Sequence, residues 1–421
     1  MHGKILFVAG LLLARSFQAF AGQSAPAKEI RPQASASQSD SAPAATPAKS
    51  SDAFKGRSAG PMYPTDALVS PDVHPDRTVT FRFSAPEATA VSLVGEINRG
   101  KGPQPMSKDD NGLWTITVGP LPPEIWIYNF RIQGIDVVDP SNPSIKPVPP
   151  GQIANSFVEV PGDTPAPYDA QPVPHGQVRM LMYESRAMGV TRWVWVYTPP
   201  GYDATPAKYP VLYLLHGNGE DQSGWVRNGR ANIILDNLIA EHKVKPMIVV
   251  MPQGHALQGA SVGPLVRLPG ETSMFSPRFP PDLLGDVLPL IEKQFRTIPD
   301  AEHRAIAGLS MGGAQSLSIG LTHLDLFHYV IGFSAAIGGP FLDIDRELQG
   351  LYAKPETAND RLRLLAIYCG RQDFVYGGNH AFAQALEQHN IKHSYTETEG
   401  AHVWSVWRNN LVAALPLLFD K

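Results

Sequence analysis

Residues 308–312, with the sequence Gly-Leu-Ser-Met-Gly, carry the strongest chemical signal in this chain of 421 residues. The pattern Gly-x-Ser-x-Gly is typical of a serine nucleophile on a sharp turn between a strand and a helix. A strand-like run, 304–307, precedes the motif, and a helical run, 314–321, follows it. The glycines leave room for the strained turn that exposes the serine oxygen. This context favours a nucleophile at Ser310 over a tight turn with a capping serine.

A serine nucleophile needs a base that takes its proton and an acid that orients the base. In this type of site the acid and then the histidine follow the serine, at the ends of later strands. Asp373 comes soon after the apolar strand-like run 364–368, and His402 follows the last strand. His380 is a rival base, but it comes too early in the chain. We therefore predict that Ser310, Asp373 and His402 are the nucleophile, the acid and the base.

Attack of a serine on a carbonyl carbon forms an oxyanion, which needs two backbone donors held in place. The amide of Met311, directly after the serine, is predicted to be one donor. The second is expected from the loop that follows an early strand, where the sequence His-Gly-Asn-Gly begins at His216. We assign it to the amide of Asn218, with Gly217 as the alternative, and we expect His216 to brace this loop.

Other aromatic and polar residues near these loops could bind the substrate. The candidates are Trp225, Gln253 and His255. Trp404 and Trp407 share one face of the last predicted helix and are expected to lie in the core. No cluster of His, Asp or Glu has the spacing of metal ligands. The chemistry of a serine nucleophile requires neither a metal nor an organic cofactor, so none is predicted.

The elements that must position these residues alternate between strands and helices from about Gly176 onward. The strand-like runs are 178–183, 193–197, 211–215, 247–251, 304–307, 330–334, 364–368 and 393–396. Helical patterns separate the later runs, as at 284–295, where apolar residues recur with a spacing close to 3.6. This alternation predicts an α/β domain at 176–421, with a mostly parallel sheet covered by helices on both faces.

A smaller all-β domain is predicted before it, at 67–162. Apolar and polar residues alternate in short runs, for example at 79–83, 114–118 and 126–132. Turn signals rich in Gly, Pro and Asn separate the runs, as expected for an antiparallel sandwich. A Pro-rich linker, 163–175, joins the two domains.

Two segments precede the predicted domains. Residues 1–21 have the features of a secretory signal peptide, with Lys4 before an apolar run and Ala-Phe-Ala at 19–21. The apolar run is too short to span a bilayer, so no membrane anchor is predicted. Residues 22–66 are rich in Ala, Pro and Ser and are predicted to be a disordered tether. We therefore expect a secreted or periplasmic protein.

The overall composition limits the class of protein and its partners. With 43% hydrophobic and 18% charged residues, the chain is not wholly disordered, collagen-like or a coiled coil. The formal net charge of −4 gives no basic excess that would indicate a nucleic-acid partner. The single cysteine, Cys369, excludes an intramolecular disulfide and is expected to be a small buried residue. The oligomeric state is left open.

The segments around the three candidate residues resemble those of a known family. The matching segments are 214–217 (Leu-Leu-His-Gly), Trp225, 304–313, 370–373 (Gly-x-x-Asp) and 400–408. They resemble the esterase-D-like branch of α/β-hydrolases, which includes the feruloyl and acetylxylan esterases of carbohydrate esterase family 1, with enterochelin esterases and mycolyltransferases as cousins. The resemblance covers 176–421. It implies an α/β-hydrolase fold with Ser310, Asp373 and His402 as a catalytic triad.

The β domain resembles the immunoglobulin-like carbohydrate-binding module 48, which precedes the catalytic domain in branching and isoamylase-type enzymes. The matching segments are 79–86, 94–98, 111–114 and 139–140. Starch-binding relatives place a tryptophan just after the Gly-x-x-Asn element at 95–98, but this chain has Arg99 there. Stacking on a sugar needs an exposed aromatic face. We therefore expect Trp114 and Trp126 in the core of a domain that packs against or orients its neighbour.

Three functions are compatible with these residues. The first is a secreted serine carboxylic-ester hydrolase acting on acylated plant polysaccharide through an acyl-enzyme, with a feruloyl esterase preferred and an acetylxylan esterase next. The second is a siderophore esterase of the enterochelin type. The third is an acyltransferase or a glycan-binding surface protein with weak hydrolysis. The expected partner is an ester substrate such as acylated xylan or an oligosaccharide.

Overall fold

The computed structural model describes residues 68–146, 154–257, 268–271 and 273–419. The predicted signal peptide and tether lie outside the described residues. In the part of the chain that the structure describes, no helix is both long enough and apolar enough to cross a bilayer.

The N-terminal domain is an antiparallel sandwich of two sheets. Its strands within the described residues are β1 (Asp72–Val73), β2 (Val79–Ser84), β3 (Val91–Val94), β4 (Gln104–Pro105), β5 (Ser107–Lys108), β6 (Leu113–Val118), β7 (Glu124–Ile132), β8 (Ile135–Val137), β9 (Ile145–Lys146) and β10 (Asn155–Val160). One sheet has the order β1-β2-β6-β5. The other has the order β4-β3-β7-β10-β9, with β8 beside β7.

Strand β7 contributes to two hydrophobic cores. Tyr128 and Phe130 pack in the core of the sandwich, whereas Ile125 and Ile127 belong to a core of the second domain. Successive side chains of a strand point to opposite sides, so one strand serves both cores. The β domain therefore packs against its neighbour, as the sequence predicted. Trp114 packs in the sandwich core, as predicted, whereas Trp126 is half-buried and packs against the edge of that core.

The second domain is built on a mostly parallel sheet. Its described strands are β11 (Gln177–Ser185), β12 (Val190–Thr198), β13 (Val211–Leu215), β14 (Ile248–Pro252), β15 (Arg304–Leu309), β16 (Tyr329–Phe333), β17 (Leu364–Gly370) and β18 (Ser394–Thr398). Their order in the sheet is β11-β12-β14-β13-β15-β16-β17-β18. The pairs β11·β12 and β12·β14 are antiparallel, and the other neighbours are parallel. Each of these strands overlaps a strand-like run of the sequence.

Helices cover the sheet. The described helices are α1 (Gly224–Arg227), α2 (Ala231–Ala240), α3 (Phe279–Asp282), α4 (Leu288–Gln294), α5 (Met311–Thr322), α6 (Ile344–Glu347), α7 (Gln349–Tyr352), α8 (Pro355–Arg361), α9 (Tyr376–Gln388) and α10 (Trp404–Ala414). A π-helical turn, Leu283–Val287, joins α3 to α4. Strand β13 is continuously apolar because both of its faces are buried: Tyr213 and Leu215 face one core, and Leu212 and Leu214 face the other.

A buried ion pair also joins the two domains. Arg408 of α10 is fully buried and donates to Glu124 of β7 at 2.5 Å and to the carbonyl oxygen of Asn228 at 2.7 Å. The ring of Tyr168, from the segment between the domains, lies 5.1 Å from the guanidinium carbon. All described residues belong to one compact unit, Thr65–Lys421. Polar and apolar contacts thus hold the β domain against the helix that follows His402.

Candidate active site

Ser310 lies on a strained turn between β15 and α5. Its φ of 52° and ψ of −115° are rare for a residue with a side chain. The flanking glycines permit the turn because neighbouring backbone approaches them closely. A Cβ added to Gly312 would lie 2.5 Å from the carbonyl oxygen of His216, and one added to Gly308 would collide with the carbonyl of Gly312. The Gly-x-Ser-x-Gly pattern therefore has a direct steric cause here.

The structure brings Ser310, Asp373 and His402 together. His402 Nε2 lies 2.9 Å from Ser310 Oγ, and His402 Nδ1 lies 2.9 Å from both oxygens of the Asp373 carboxylate. The three residues follow β15, β17 and β18, whose carboxyl ends meet at one edge of the sheet. The Asp373 side chain is fully buried. This arrangement can pass the serine proton to the imidazole while the carboxylate holds the Nδ1–H tautomer.

The loop that carries the acid is tied to the loop that carries the histidine. The Gln372 side-chain oxygen accepts from the amide of Gly400 at 2.6 Å, and the Gln372 amide donates to the Gly400 carbonyl at 3.1 Å. Arg371 forms ion pairs with Glu397 at 3.1 Å and with Glu399 at 3.0 Å. These contacts cross the end of the β17·β18 pair, so they fix the separation of the two loops.

The predicted oxyanion donors lie beside the serine. Met311 begins α5, where the first amides have no acceptor within the helix and where the helix dipole is positive. Asn218 and Gly217 both line the cavity in front of Ser310. His216 is buried and its Nδ1 contacts the Gly217 carbonyl oxygen at 2.8 Å, which makes it a brace for the loop, as predicted. Burial lowers the pKa of His216, which favours its neutral form.

A cavity of about 310 Å³ opens over Ser310 and His402. Phe374 is 68% exposed, and its ring centroid lies 4.4 Å from that of the His402 imidazole. Phe341 lies 6.0 Å from Phe374 between ring centroids. One wall is therefore aromatic and apolar, and its members are Met274, Leu309, Ala336, Phe341 and Phe374.

A second, polar wall of the cavity includes residues of the β domain. Glu96 and Lys146 come from the sandwich, and Glu220 from the loop after β13. Lys146 Nζ forms an ion pair with Glu220 Oε1 at 3.0 Å. The indole N–H of Trp404 donates to the same oxygen at 2.6 Å. The cavity is thus formed by both domains.

The substrate-binding prediction for Trp225, Gln253 and His255 needs correction. These residues are 1%, 6% and 3% exposed, and none lines the cavity. The indole N–H of Trp225 donates to the Leu215 carbonyl at 2.9 Å, and His255 Nε2 lies 2.8 Å from the carbonyl oxygen of Asn218. They support the oxyanion loop from behind. The sequence did not reveal this, because neither a loop nor a helix as short as α1 has enough periodicity to show which side a residue faces.

Two tryptophans belong both to the hydrophobic core and to the lining of the cavity. Trp404 and Trp407 are buried in the core, as predicted, yet both also line the cavity. The ring of Trp407 meets the His402 ring edge to face, with centroids 4.8 Å apart. Among the described residues, no group of three or more His, Cys, Asp or Glu side chains could hold a metal ion.

Sequence reasoning missed Glu96, Lys146 and Phe374 as cavity residues. Phe374 directly follows Asp373, so its position in the sequence was a usable signal. Glu96 and Lys146 had no such signal, because they belong to the other domain and reach the cavity only through the way the domains pack.

Comparison with known proteins identifies the family. Residues 185–418 match the family described as "Putative esterase", and residues 69–147 match "Carbohydrate-binding module 48 (Isoamylase N-terminal domain)". The first match covers more than half of the chain, and the chain therefore belongs to this esterase family. The predictions of an α/β-hydrolase fold, of a module-48-like domain before it and of a carboxylic-ester hydrolase are confirmed.

Individual relatives are more specific. The chain is 31% identical over 361 residues to the endo-1,4-beta-xylanase/feruloyl esterase of Xylanibacter ruminicola, a match that covers 83% of this chain and 46% of that protein. The chain therefore spans about half the length of that relative. A CE1 ferulic acid esterase from Anaeromyces mucronatus, solved in complex with ferulic acid, is 25% identical with a TM-score of 0.53, over 61% of this chain and 96% of that one. The enterobactin esterase of Shigella flexneri, at 18% identity and a TM-score of 0.60 over 82% of this chain and 93% of that one, shares the fold.

Proposed function

We propose that this chain is a secreted serine esterase that releases acyl groups from plant polysaccharide, with feruloyl as the preferred acyl group. The hydrogen-bonded chain from the Ser310 hydroxyl through His402 to Asp373 is the observation that carries the proposal. The xylanase/feruloyl esterase and the CE1 ferulic acid esterase among its relatives support the substrate class.

In the first half of the reaction, Ser310 Oγ attacks the ester carbonyl carbon while His402 Nε2 takes the hydroxyl proton. The carbonyl π electrons move to oxygen, and the amides of Met311 and Asn218 stabilise this oxyanion. The oxyanion then collapses, the bond to the alcohol oxygen breaks, and the alcohol leaves with the proton held by His402. Asp373 stabilises the imidazolium that forms in between.

In the second half, water replaces the alcohol. His402 takes a proton from water as its oxygen attacks the acyl carbon, and the same donors hold the second oxyanion. Collapse breaks the bond to Ser310 Oγ, which regains its proton from His402. The products of this half are the free acid and the original enzyme, so one turnover consumes one ester and one water molecule and needs no cofactor.

The aromatic wall supports an aryl acyl group. Phe374 lies beside the His402 ring and Phe341 beside Phe374, and an aromatic ring packed against them would gain about 0.5–1.5 kcal/mol beyond its burial. An acetyl group has no ring and would leave this wall unfilled. A feruloyl ester is therefore expected to have a higher kcat/KM than an acetyl ester of the same alcohol.

Purified protein and its Ser310→Ala variant should be assayed on methyl ferulate, 4-nitrophenyl acetate, acetylated xylan and linear enterobactin. We expect turnover of methyl ferulate that is lost in the variant. Full turnover by Ser310→Ala would refute the nucleophile. Hydrolysis of enterobactin with no hydrolysis of ferulate esters would refute the substrate class and favour a siderophore esterase.

Secretion is tested separately. We expect the exported protein to begin after residue 21, because Ala-Phe-Ala at 19–21 matches a signal-peptidase site. Mass spectrometry of the N-terminal peptide from a culture supernatant or periplasmic extract checks this. An N-terminus that retains Met1 would contradict it.

A further inference from the structure

The β domain places a carboxyl group in the cavity of the candidate active site. Glu96 lines this cavity together with Ser310 and His402, although it lies more than 200 positions earlier in the chain. It belongs to the Gly-x-x-Asn element that the sequence singled out and that the proposed chemistry does not use. Its role therefore needs an explanation of its own.

The segment that presents Glu96 is held firmly. Gly95 has φ of 121°, and a Cβ there would lie 2.5 Å from the carbonyl oxygen of Ile127, so the loop sits directly on β7. Asn98 closes the other end, because its side-chain amide donates to the carbonyl oxygens of Leu93 at 2.8 Å and Gly102 at 2.7 Å. A carboxyl group on such a short, braced turn is pre-organised rather than free to swing away.

The charged groups around Glu96 are already paired with one another. Lys146 forms its ion pair with Glu220 at 3.0 Å, and Arg408 donates to Glu124 at 2.5 Å. Within the described residues, the Glu96 carboxyl has no hydrogen-bond partner. Burial raises the pKa of Glu96 to about 7, opposed by the positive charges of Lys146 and Arg408 and reinforced by the negative charges of Glu124 and Glu220. The carboxyl thus keeps its hydrogen-bonding capacity for a group that enters the cavity.

The two walls of the cavity favour different parts of an ester, the acyl group and the alcohol. An aryl acyl group fits the wall formed by Phe341 and Phe374, since rings gain from contact with rings. The polar wall suits a group rich in hydroxyls, because a carboxylate accepts hydrogen bonds and a sugar alcohol can donate several.

We infer that Glu96 binds free hydroxyl groups of the alcohol part of the substrate, so that the β domain supplies a specificity residue to the esterase site. This inference rests on the proposed ester hydrolysis at Ser310. It assigns the β domain a contact with the ester that is being cleaved, distinct from a binding surface for glycan elsewhere on the sandwich.

The test compares two esters that share the acyl group. Methyl ferulate has an alcohol without further hydroxyls, whereas 5-O-feruloyl-arabinose has a sugar alcohol. We expect Glu96→Gln to lower kcat/KM for the arabinose ester by about ten-fold, the loss for one hydrogen bond to a charged group, and to leave methyl ferulate within two-fold. Glu87→Gln, an exposed change of the same charge on the same domain, is the matched control and should alter neither ester.

The pH dependence gives a second measurement. Glu96 ionises as pH rises through about 7, so the ratio of kcat/KM for the arabinose ester to that for methyl ferulate should rise between pH 6 and pH 8 in the parent protein. The same ratio should be flat in Glu96→Gln. A rise of equal size in both proteins would overturn the inference.

A third ester separates the two sides of the substrate. Methyl cinnamate lacks the ring substituents of methyl ferulate. If Glu96→Gln changed the ratio between these two methyl esters and left the arabinose ester unaffected relative to methyl ferulate, Glu96 would contact the acyl ring and the inference would be wrong. If the parent protein hydrolysed no feruloyl ester, the proposed function would fail first, before any variant of Glu96 is compared.

Discussion

Replacement of Asp373 by asparagine tests how the acid controls the histidine. The Asp373 Oδ1 atom accepts from the amide of Val375 at 3.0 Å, and both carboxylate oxygens lie 2.9 Å from His402 Nδ1. In Asp373→Asn the single carbonyl oxygen can remain on the Val375 amide, which turns the NH₂ group toward His402. When this NH₂ group donates to Nδ1, the imidazole carries its proton on Nε2, facing Ser310. In this state the histidine cannot take the serine proton.

The expected loss of kcat follows from the two orientations that the asparagine side-chain amide can adopt. Turning the amide restores the acceptor for His402 but sets its NH₂ against the buried Val375 N–H, which costs about 1–3 kcal/mol. In either orientation the charge that stabilises the imidazolium is gone, at about 1.5–3 kcal/mol for a charge-assisted hydrogen bond. The sum is roughly 3–6 kcal/mol. At about 1.4 kcal/mol per factor of ten, kcat should fall between about 10² and 10⁴-fold.

The assay is steady-state hydrolysis of methyl ferulate by the parent protein and by Asp373→Asn, with KM expected to change less than three-fold. Asp360→Asn is the matched control, because Asp360 is exposed on α8 and lies outside the cavity. Circular dichroism should show the same fold for all three proteins. A kcat within five-fold of the parent value in Asp373→Asn would refute this role and move the acid to another residue.

Three further experiments test the predicted effects of burial and charge. Arg408→Met leaves Glu124 buried without its partner and should lower the free energy of unfolding by about 3–5 kcal/mol. Arg371→Met, at an exposed pair, should lower it far less, and urea denaturation compares the two variants. Burial raises the pKa of Cys369 to about 12, so iodoacetamide at pH 8 should label it only after denaturation, as read by mass spectrometry. The pKa of Glu96 is raised to about 7, so its ionised form is disfavoured in the folded protein. Glu96→Gln should therefore raise the free energy of unfolding by roughly 3 kcal/mol at pH 8 and change it little at pH 4, where Glu96 is mostly protonated in both states.

The fold of the second domain was predictable because its signals are local. A short apolar run in the sequence predicts each buried strand, and the glycines required by the turn at Ser310 are present in the sequence. The order of serine, acid and histidine then locates the candidates, since parallel strands end at one edge of the sheet. Asp373 and His402 could therefore be named without knowledge of any distance.

The cavity wall was not predictable in the same way. Trp225 and His255 follow the correct strands, yet their side chains lie behind the oxyanion loop. Neither the four-residue helix α1 nor the loop after β14 is long and regular enough for periodicity to reveal this. Trp404 and Trp407 were correctly predicted to lie in the core, but a residue at the inner end of a cavity can belong both to the core and to the cavity lining. Glu96 depends on the packing of one domain on another, which leaves no trace in the local pattern.

The position of Glu96 is best explained by ligand binding, because folding alone disfavours it. Glu96 is a half-buried carboxyl with no hydrogen-bond partner among the described residues. Because its pKa is raised, it lowers the stability of the folded protein progressively as pH rises from 4.5 to about 7, and by the full amount above that. Arg408 and Lys146 do not offset this cost fully, since each is already paired with another carboxylate. The fold holds this carboxyl rigidly, at a cost in stability, in the cavity that Ser310 also lines. Such a position is expected of a residue whose partner arrives with the substrate. The same physical cost explains why removing the charge is expected to stabilise the protein while it weakens recognition of the sugar ester.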